Sequence, residues 1–247
     1  MSLDAIICDW NGTITRDRDE RPLLESIALD VFLTSLPFHP RRAVGILKAR
    51  RTLEALHRDK RRTALFDFAT QMYWIYNERV IRGMPVEYIL ASADRYARKK
   101  ETQEKLDRRI LRSVDGCHRR GNVTGILSGG YKYGIDRALT RAGYGHTFDF
   151  CHANPLKQES GRALGIDLTI FRNKSEWLLK LLEFLDIDGS RVVYIGDSDI
   201  DEGCFEIAGY PVVAFQAPDE AKQLYAQRYG AFVPDDETDL LGYLESI

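Results

Sequence analysis

The chain has 247 residues, enough for one large domain or for a core with a smaller second domain. Its 44% apolar and 29% charged residues are typical of a soluble globular protein. No apolar run approaches the roughly 20 residues that span a bilayer, and the N-terminus lacks the features of a signal peptide, so we expect a cytoplasmic protein with no membrane partner. The four cysteines are far apart and form no CxxC pair, which argues against a zinc site or a disulfide framework.

Basic residues are concentrated in one part of the chain. Residues 41–120 contain 21 Lys and Arg against 10 Asp and Glu, although the net charge of the whole chain is −2. The remaining residues are therefore acidic. An anionic ligand for the basic part and a cation for the acidic part would explain this distribution, but for the count alone the preferred explanation is that long helices carry solvated charges. The basic residues do not form one stripe interleaved with aromatic residues, so we expect no nucleic-acid partner.

Residues 22–117 show helical periodicity almost without a break. Prolines suited to a first helical turn and a potential cap divide this block into five predicted helices, which begin at or behind Pro22, Pro40, Thr63, Pro85 and Thr102. The fifth of these helices carries Leu106, Ile110 and Val114 at helical spacing.

Short apolar runs alternate with helical segments after Gly121. Helices are predicted within 131–142 and 175–185, and strands within 4–9, 123–130, 147–153, 164–170, 191–197 and 210–215. This alternation indicates βαβ units. We therefore predict the α/β class, a doubly wound and mainly parallel sheet with an inserted all-helical cap. Residues 1–18 and 120–247 would form the core, and residues 19–119 the cap.

Polar residues follow three of the predicted strands directly. Asp9, Ser128 and Asp197 each end an apolar run, and the carboxyl ends of parallel strands meet at one edge of the sheet. Ser128 precedes two glycines, whose unhindered N–H groups suit a phosphate oxygen. The segment GDSDIDEG (196–203) adds further acids. Such a cluster beside Asp9 requires a cation, and Mg²⁺ is the hard, oxygen-ligated ion that fits.

Four motifs in the expected order resemble the haloacid dehalogenase-like hydrolase superfamily. They are Asp-Trp-Asn-Gly-Thr (9–13), Ile-Leu-Ser-Gly-Gly (126–130), Asn-Lys-Ser-Glu (173–176) and Gly-Asp-Ser-Asp-Ile-Asp (196–201). The Ser-Gly-Gly sequence and the segments ANPLKQESGRALGI and AGYPVVAF are similar to those of phosphoserine phosphatase-like members, which carry a helical cap between the first two motifs. The resemblance spans residues of about 1–20 and 120–247.

The resemblance implies a Mg²⁺-dependent phosphomonoester hydrolase that forms an aspartyl-phosphate. Asp9 would be the nucleophile, and the catalytic positions would be Asp9, Asn11 and Lys174. The metal would be held by Asp9, the backbone carbonyl of Asn11 and Asp197, and Asp201 would complete the metal site by orienting Lys174 or a metal-bound water. The phosphate would be bound by Thr13, Ser128, Gly129 and Lys174. The Thr13 hydroxyl can equally well stabilise the loop of the first motif instead of binding the ligand.

Asn11 departs from the family pattern, because the second aspartate of the first motif normally moves a proton. An amide has no such proton to exchange, and the loss of a general acid/base costs about 10²–10⁴-fold in rate. Three explanations stay open: a native residue with slow turnover or an easily expelled leaving group, an introduced change, or a protein that binds a phosphorylated ligand without turnover. Phosphonatase-type and dehalogenase-type hydrolases also lack this aspartate.

The substrate implied is a small phosphorylated metabolite. Phosphoserine phosphatases hold the substrate's ammonium and carboxylate groups with a Glu and an Arg. No motif here assigns those roles to Glu20, Glu25, Arg61 or Arg62. Three aromatic residues can line the cavity or belong to the cap core, namely Tyr73, Trp74 and Tyr76. The oligomeric state is left open.

Overall fold

A five-stranded parallel sheet forms the centre of the protein in the computed structural model, which describes residues 3–58 and 65–247. The strand order is β3-β2-β1-β6-β7, and every neighbouring pair is parallel. These strands are β1 (Ala5–Cys8), β2 (Val123–Tyr131), β3 (Phe150–Asn154), β6 (Val192–Gly196) and β7 (Tyr210–Val213). A separate antiparallel hairpin comprises β4 (Leu156–Glu159) and β5 (Arg162–Ile166).

Both faces of the sheet are covered. Successive side chains of a strand point to opposite faces, and Ile6 and Cys8 accordingly belong to one apolar cluster while Ala5 and Ile7 belong to another. The helices of the core are α6 (Arg108–Arg119), α7 (Lys132–Ala142), α8 (Thr169–Arg172), α9 (Lys174–Leu185), α10 (Glu202–Ile207), α11 (Asp219–Tyr229) and α12 (Glu237–Ser246). Helices on both faces of a parallel sheet confirm the predicted α/β class.

A block of helices lies between β1 and α6. It comprises α1 (Arg21–Ser35), α2 (Pro40–Arg58), α3 (Leu65–Tyr76), a π-helical turn (Asn77–Ile81), α4 (Val86–Arg98) and α5 (Lys100–Glu104). Its apolar cluster also includes Ala163 and Ile166 of the β4–β5 hairpin. The strand predicted at 164–170 ends at Ile166, and α8 follows. Thr63, the predicted cap of the third helix, lies outside the described residues. Within the described part of the chain, no helix has the length and apolarity to cross a membrane.

The fifth helix begins later than predicted. Asp107 caps α6, its side chain accepting a hydrogen bond from the Arg109 N–H at 3.0 Å, whereas Thr102 lies inside the short α5. The apolar face of α6 (Ile110, Leu111, Val114, Cys117) packs in the same cluster as Ile6 and Cys8 of β1. We therefore propose that the core resumes near residue 105 rather than at residue 120.

The two chain crossings between helical block and core run side by side. The Arg16 N–H donates to the Lys105 carbonyl at 2.9 Å, and the Asp107 N–H donates to the Ile14 carbonyl at 2.8 Å. Thr15 and Leu106 lie between them as an antiparallel pair. The segments 14–16 and 105–107 are therefore hydrogen-bonded to each other, and we call this pair of segments the strap.

Asp94 joins the helical block to the core through an ionic cluster. Its Oδ1 lies 2.6 Å from Arg137 Nη2 and 3.4 Å from Arg141 Nη2, both on α7, and its other oxygen accepts from Arg98. These hydrogen bonds, above all that from Arg98, lower the pKa of Asp94 to about 2. Because the pKa is depressed, the stability that Asp94 contributes is present above its ordinary pKa and is lost as pH falls toward 2.

The Asp94→Asn variant is expected to lower the free energy of unfolding by about 1–3 kcal/mol at pH 7, because two helices lose a shared anion. Chemical denaturation at several pH values measures this, and the difference from the native chain should shrink between about pH 4 and pH 2. The matched control is Asp136→Asn, since the half-exposed Asp136 forms its ion pair with Lys132 on its own helix rather than with the helical block, and its loss should matter by about 0.5 kcal/mol or less. A pH-independent difference would contradict the assignment.

Candidate active site

Asp9 lies at the carboxyl end of the central strand, where the loop Asp9–Thr13 turns sharply. The Asp9 N–H donates to the Ile195 carbonyl of β6 at 2.9 Å, which continues the parallel ladder by one residue. Gly12 has φ of +73°, and a Cβ there would lie 2.1 Å from Asp197 Oδ2. Only glycine can therefore let this loop approach the end of β6 so closely.

A buried lysine connects two of the predicted acids. Lys174 Nζ lies 2.9 Å from Asp9 Oδ1 and 2.5 Å from Asp201 Oδ1, and all three side chains are buried. Burial opposes the charged form of Lys174, but Asp201 and Asp9 outweigh it and raise the lysine's pKa. Burial raises the pKa of Asp9 to about 6, against the opposing effect of Lys174.

Asp201 has both oxygens occupied by hydrogen-bond donors. Its Oδ1 accepts from Lys174 and from the Tyr194 hydroxyl at 2.8 Å. Its Oδ2 accepts from the backbone N–H of Asp197 at 3.1 Å and from the N–H and hydroxyl of Ser198, both at 3.2 Å. Burial disfavours its ionised form, yet these donors and the lysine charge lower its pKa. Asp201 thus fixes the lysine and the loop after β6.

Asp197 completes a cluster that suits a cation. The Thr13 hydroxyl donates to Asp197 Oδ1 at 3.4 Å, and one oxygen each of Asp9, Asp197 and Asp201 lies within 4.8 Å of the others. Burial, with Asp201 and Asp9 nearby, raises the pKa of Asp197 well above its ordinary value. Asp9 Oδ1 is buried, and apart from the contact with Lys174 at 2.9 Å it accepts no hydrogen bond from the described residues. Three carboxylates facing one ammonium therefore fit a divalent cation.

Ser128 and Gly129 line the same cavity as Asp9 and Asp197, near the carboxyl end of β2. The Ser128 hydroxyl oxygen accepts from the Gly130 N–H at 3.1 Å, which holds the turn closed. The Gly129 carbonyl accepts from Asn154 at 2.7 Å and from the Tyr73 hydroxyl of α3 at 3.2 Å. A Cβ at Gly129 would lie 2.5 Å from the Phe171 ring, so glycine is required for the close packing.

Asn11 has a buried acidic neighbour that the sequence left unassigned. Asn11 Nδ2 donates to Glu20 Oε1 at 3.4 Å, and Glu20 is 5% exposed. Burial raises the pKa of Glu20 to about 8, although the bond from Asn11 opposes the rise. A Cβ at Gly130 would lie 2.4 Å from the same Glu20 oxygen. Glu20 is therefore packed tightly between the first and second motifs.

A cavity of about 320 Å³ joins the motifs. Its lining includes Asp9, Asn11, Ser128, Gly129, Lys174 and Asp197, whereas Thr13 and Asp201 support it from behind. Tyr73 both lines the cavity and belongs to the apolar cluster of the helical block, so the two alternatives left open for it hold together. Trp74 is 59% exposed, and Tyr76 and Glu25 line a different groove. Arg61 and Arg62 lie outside the described residues. No motif in the sequence predicts the other lining side chains, among them Arg18, Asp19, Met72, Phe171 and Tyr225.

Known proteins match the chain in sequence pattern and in fold. A family model described as haloacid dehalogenase-like hydrolase matches residues 6–206. A substrate-bound phosphoserine phosphatase complex is 16% identical, with a TM-score of 0.61 over 100% of this chain and 99% of that one. A phospho-aspartyl intermediate analogue of phosphoserine phosphatase is 17% identical, with a TM-score of 0.58 over 98% and 99%. A protein of unknown function from Bordetella pertussis Tohama I is 15% identical, with a TM-score of 0.68 over 95% and 99%.

No curated protein sequence matches the chain. The structural matches share the whole fold, both sheet and helical block, at identities too low to carry an activity with them. The family model covers most of the chain and includes the positions of all four motifs, from Asp9 to Asp201. It confirms the resemblance identified from those motifs: the chain belongs to the haloacid dehalogenase-like hydrolases.

Proposed function

We propose that this protein is a Mg²⁺-dependent phosphomonoester hydrolase that acts on a small phosphorylated metabolite through an aspartyl-phosphate on Asp9. The observation that carries the proposal is the buried Asp9 carboxylate at the floor of the cavity, with Lys174 at 2.9 Å and Asp197 beside it. The structural match to a substrate-bound phosphoserine phosphatase supports a small phosphorylated substrate. The 320 Å³ cavity is of the right size for one.

Asp9 would donate the electron pair that forms the new bond to phosphorus. The bond from phosphorus to the ester oxygen breaks, and the leaving oxygen takes its electron pair and needs a proton if it is an alkoxide. In the second half of the reaction, the oxygen of water attacks phosphorus and Asp9 leaves as a carboxylate. One water proton passes to a base, and inorganic phosphate is released. Lys174 stays paired with Asp9 throughout and balances the charge that gathers on the phosphoryl oxygens.

The ion would be held by Asp9, by Asp197 and by the backbone carbonyl of Asn11. When bound, Mg²⁺ neutralises the negative charge of the phosphoryl group and keeps the nucleophile ionised beside it. Asp201 is less suited than Asp197 as a direct ligand, because five donors already occupy its two oxygens. We assign Asp201 to orienting Lys174, and we assign Ser128 and the Gly129 N–H to the phosphoryl oxygens. Thr13 holds Asp197 in place.

A second candidate function is binding of a phosphorylated ligand without turnover, and Asn11 is the observation that favours it. An asparagine cannot protonate the leaving oxygen or accept the proton of the attacking water. Asn11 is instead engaged with Glu20 at 3.4 Å. This alternative predicts binding of phosphate esters, measured by calorimetry, with no release of inorganic phosphate.

A panel of phosphomonoesters assayed for phosphate release tests both functions. We expect hydrolysis of at least one small ester in Mg²⁺ and a loss of at least about 100-fold after chelation by EDTA, because the buried carboxylates would then repel the phosphoryl group. Readdition of Mg²⁺ should restore the rate, which separates metal removal from irreversible unfolding. Undiminished hydrolysis in EDTA would contradict the metal requirement, and ligand binding without hydrolysis would favour the second function.

A further inference from the structure

The outer face of the α1–α2 pair carries an unusual concentration of exposed apolar side chains. In the described part of the chain, eleven large apolar residues are exposed, and six of them lie within residues 29–47. They are Leu29 (56% exposed), Leu33 (58%), Leu36 (54%), Phe38 (78%), Val44 (51%) and Leu47 (48%). We call these six residues the cap-tip face. Scattered single apolar residues are ordinary on a surface, but a contiguous set marks an interaction site.

The cap-tip face is continuous across both helices. Leu29 and Leu33 are four residues apart and lie on one side of α1, and Leu36, the residue directly after α1, continues the same row because its backbone is still helical. Val44 and Leu47 are three residues apart on α2, so they also lie on one side of their helix. Leu29 and Leu47 line the same groove, which places the two rows next to each other. Phe38 lies in the turn that connects the helices and is the most exposed of the six.

Basic residues border the cap-tip face. Arg41, Lys48 and Arg51 are exposed and lie three to four residues from Val44 or Leu47 along α2, hence on the same side of that helix. Between residues 29 and 53 the only acid is Asp30, and its carboxylate pairs with Arg95 at 2.8 Å. The face is therefore apolar at its centre and positive at its edge.

A shallow depression beside Phe38 adds two more guanidinium groups. It is lined by Phe38, His39, Pro40, Arg41, Arg42 and Arg162. Arg42 donates to the Arg82 carbonyl at 2.6 Å and to the sulfur of Met84, while Arg162 donates to the Gly83 carbonyl at 2.9 Å. Arg82 itself is paired with Glu78 at 2.8 Å. Neither Arg42 nor Arg162 forms an ion pair with a described carboxylate, so the positive charge at this edge is not neutralised by a described side chain.

We propose that the cap-tip face docks on an anionic lipid bilayer, with Phe38 and Leu36 inserted among the headgroups and the surrounding arginines and lysines against the lipid phosphates. Apolar residues on one side of a helix with basic residues at its border are typical of helices that lie in a membrane interface. This contact requires no membrane-spanning helix. It revises the expectation from the sequence that the protein has no membrane partner, and it does not depend on the proposed hydrolase activity.

The charge of the face argues against the other occupants. In a symmetric contact with a second copy, the same patch meets itself, so two surfaces with positive borders and no unpaired acid would face each other. A projecting Phe38 between two helices also needs a matching cavity in a protein partner, whereas a bilayer opens around an inserted side chain. An anionic bilayer satisfies both the apolar centre and the basic border.

Sedimentation with lipid vesicles tests the proposal. The full chain should bind vesicles of phosphatidylcholine with about one third phosphatidylserine, and bind pure phosphatidylcholine vesicles much more weakly, since each nearby Lys or Arg contributes roughly fivefold. Binding to the anionic vesicles should weaken as salt is raised. The Phe38→Ser variant should bind about tenfold more weakly, because it loses an inserted aromatic ring, and Arg41→Ser should bind roughly fivefold more weakly.

The matched control is Phe184→Ser on α9, since Phe184 is 84% exposed but lies outside the cap-tip face. It should bind as the native chain does, and circular dichroism of each variant establishes that it is folded. The proposal is overturned if the native chain fails to bind the phosphatidylserine vesicles, or if Phe184→Ser weakens binding as much as Phe38→Ser. A concentration-dependent dimer that Phe38→Ser abolishes would also overturn it and assign the face to a second copy.

Discussion

Replacement of Asp9 by asparagine is expected to lower kcat by roughly 10⁴–10⁶-fold, the usual cost of removing a catalytic nucleophile. The change keeps the shape of the side chain and removes only its charge and nucleophilicity. Lys174 retains its second partner, Asp201, at 2.5 Å, so the buried ammonium is not left alone. Phosphate release at saturating substrate and Mg²⁺ measures the effect on kcat. Labelling of the protein by a phosphate donor reports whether the aspartyl-phosphate forms, since an acyl phosphate survives acid and is removed by hydroxylamine.

The matched control for this variant is Asp219→Asn. Asp219 is a 94% exposed acid at the start of α11 that lies outside the cavity lining, so its loss should leave kcat unchanged within about twofold. The thermal unfolding temperature of both variants shows whether a fall in kcat comes from the missing nucleophile or from a destabilised fold. Activity that survives undiminished in Asp9→Asn would rule out Asp9 as the nucleophile, and with it the proposed intermediate.

The Asn11→Asp variant is expected to raise kcat by about 10²–10⁴-fold on alkyl phosphate esters, because it restores a group that moves protons. The backbone carbonyl assigned to the ion is unchanged by this substitution. The new carboxyl would lie near Glu20 Oε1, which accepts from Asn11 at 3.4 Å in the native chain. Since the pKa of Glu20 is raised to about 8, its protonated form can donate to the new carboxylate at neutral pH. Steady-state rates of the two proteins on one panel of esters provide the comparison.

The double variant Asp9→Asn/Asn11→Asp is the control for that gain. If the new aspartate assists Asp9, the double variant should be as inactive as Asp9→Asn alone. An equal rate for the native chain and Asn11→Asp would mean that the leaving group needs no proton or that another residue supplies it. Glu20 is the buried carboxyl that borders both Asn11 and the cavity, and Glu20→Gln would then distinguish these two cases.

The sequence predicted the sheet and the placement of the motifs well, because both depend on local patterns. The strand cores are short apolar runs bounded by glycine or acid, and Asp9, Ser128 and Asp197 follow such runs directly. Parallel pairing then brings their carboxyl ends to one edge without further information. Lys174 was found from the same motif order, and the structure brings it within 2.9 Å of Asp9.

The neighbours of Asn11 and the start of α6 could not be predicted in the same way. Glu20 comes close to Asn11 and Gly130 only because the chain turns back after the first motif, and no spacing rule fixes that turn. The periodicity of Leu106, Ile110 and Val114 is correct, yet it does not show which apolar cluster they join. That depends on the strap between Arg16 and Asp107, which forms through backbone groups and leaves no trace in side-chain pattern.

The strap also determines how the helical block can move. Its two crossings are bonded side by side around Arg16 and Asp107, and the block is also bonded to the β4–β5 hairpin, where the Gly83 N–H donates to the Ala163 carbonyl at 2.7 Å. Rotation about the strap needs only small changes in the few residues of the crossings. Opening the cavity by this rotation would break the bonds at Asp94 and at Tyr73 while the strap stays intact, and the β4–β5 hairpin would have to move with the block. Entry of substrate and release of phosphate would then depend on the same rotation.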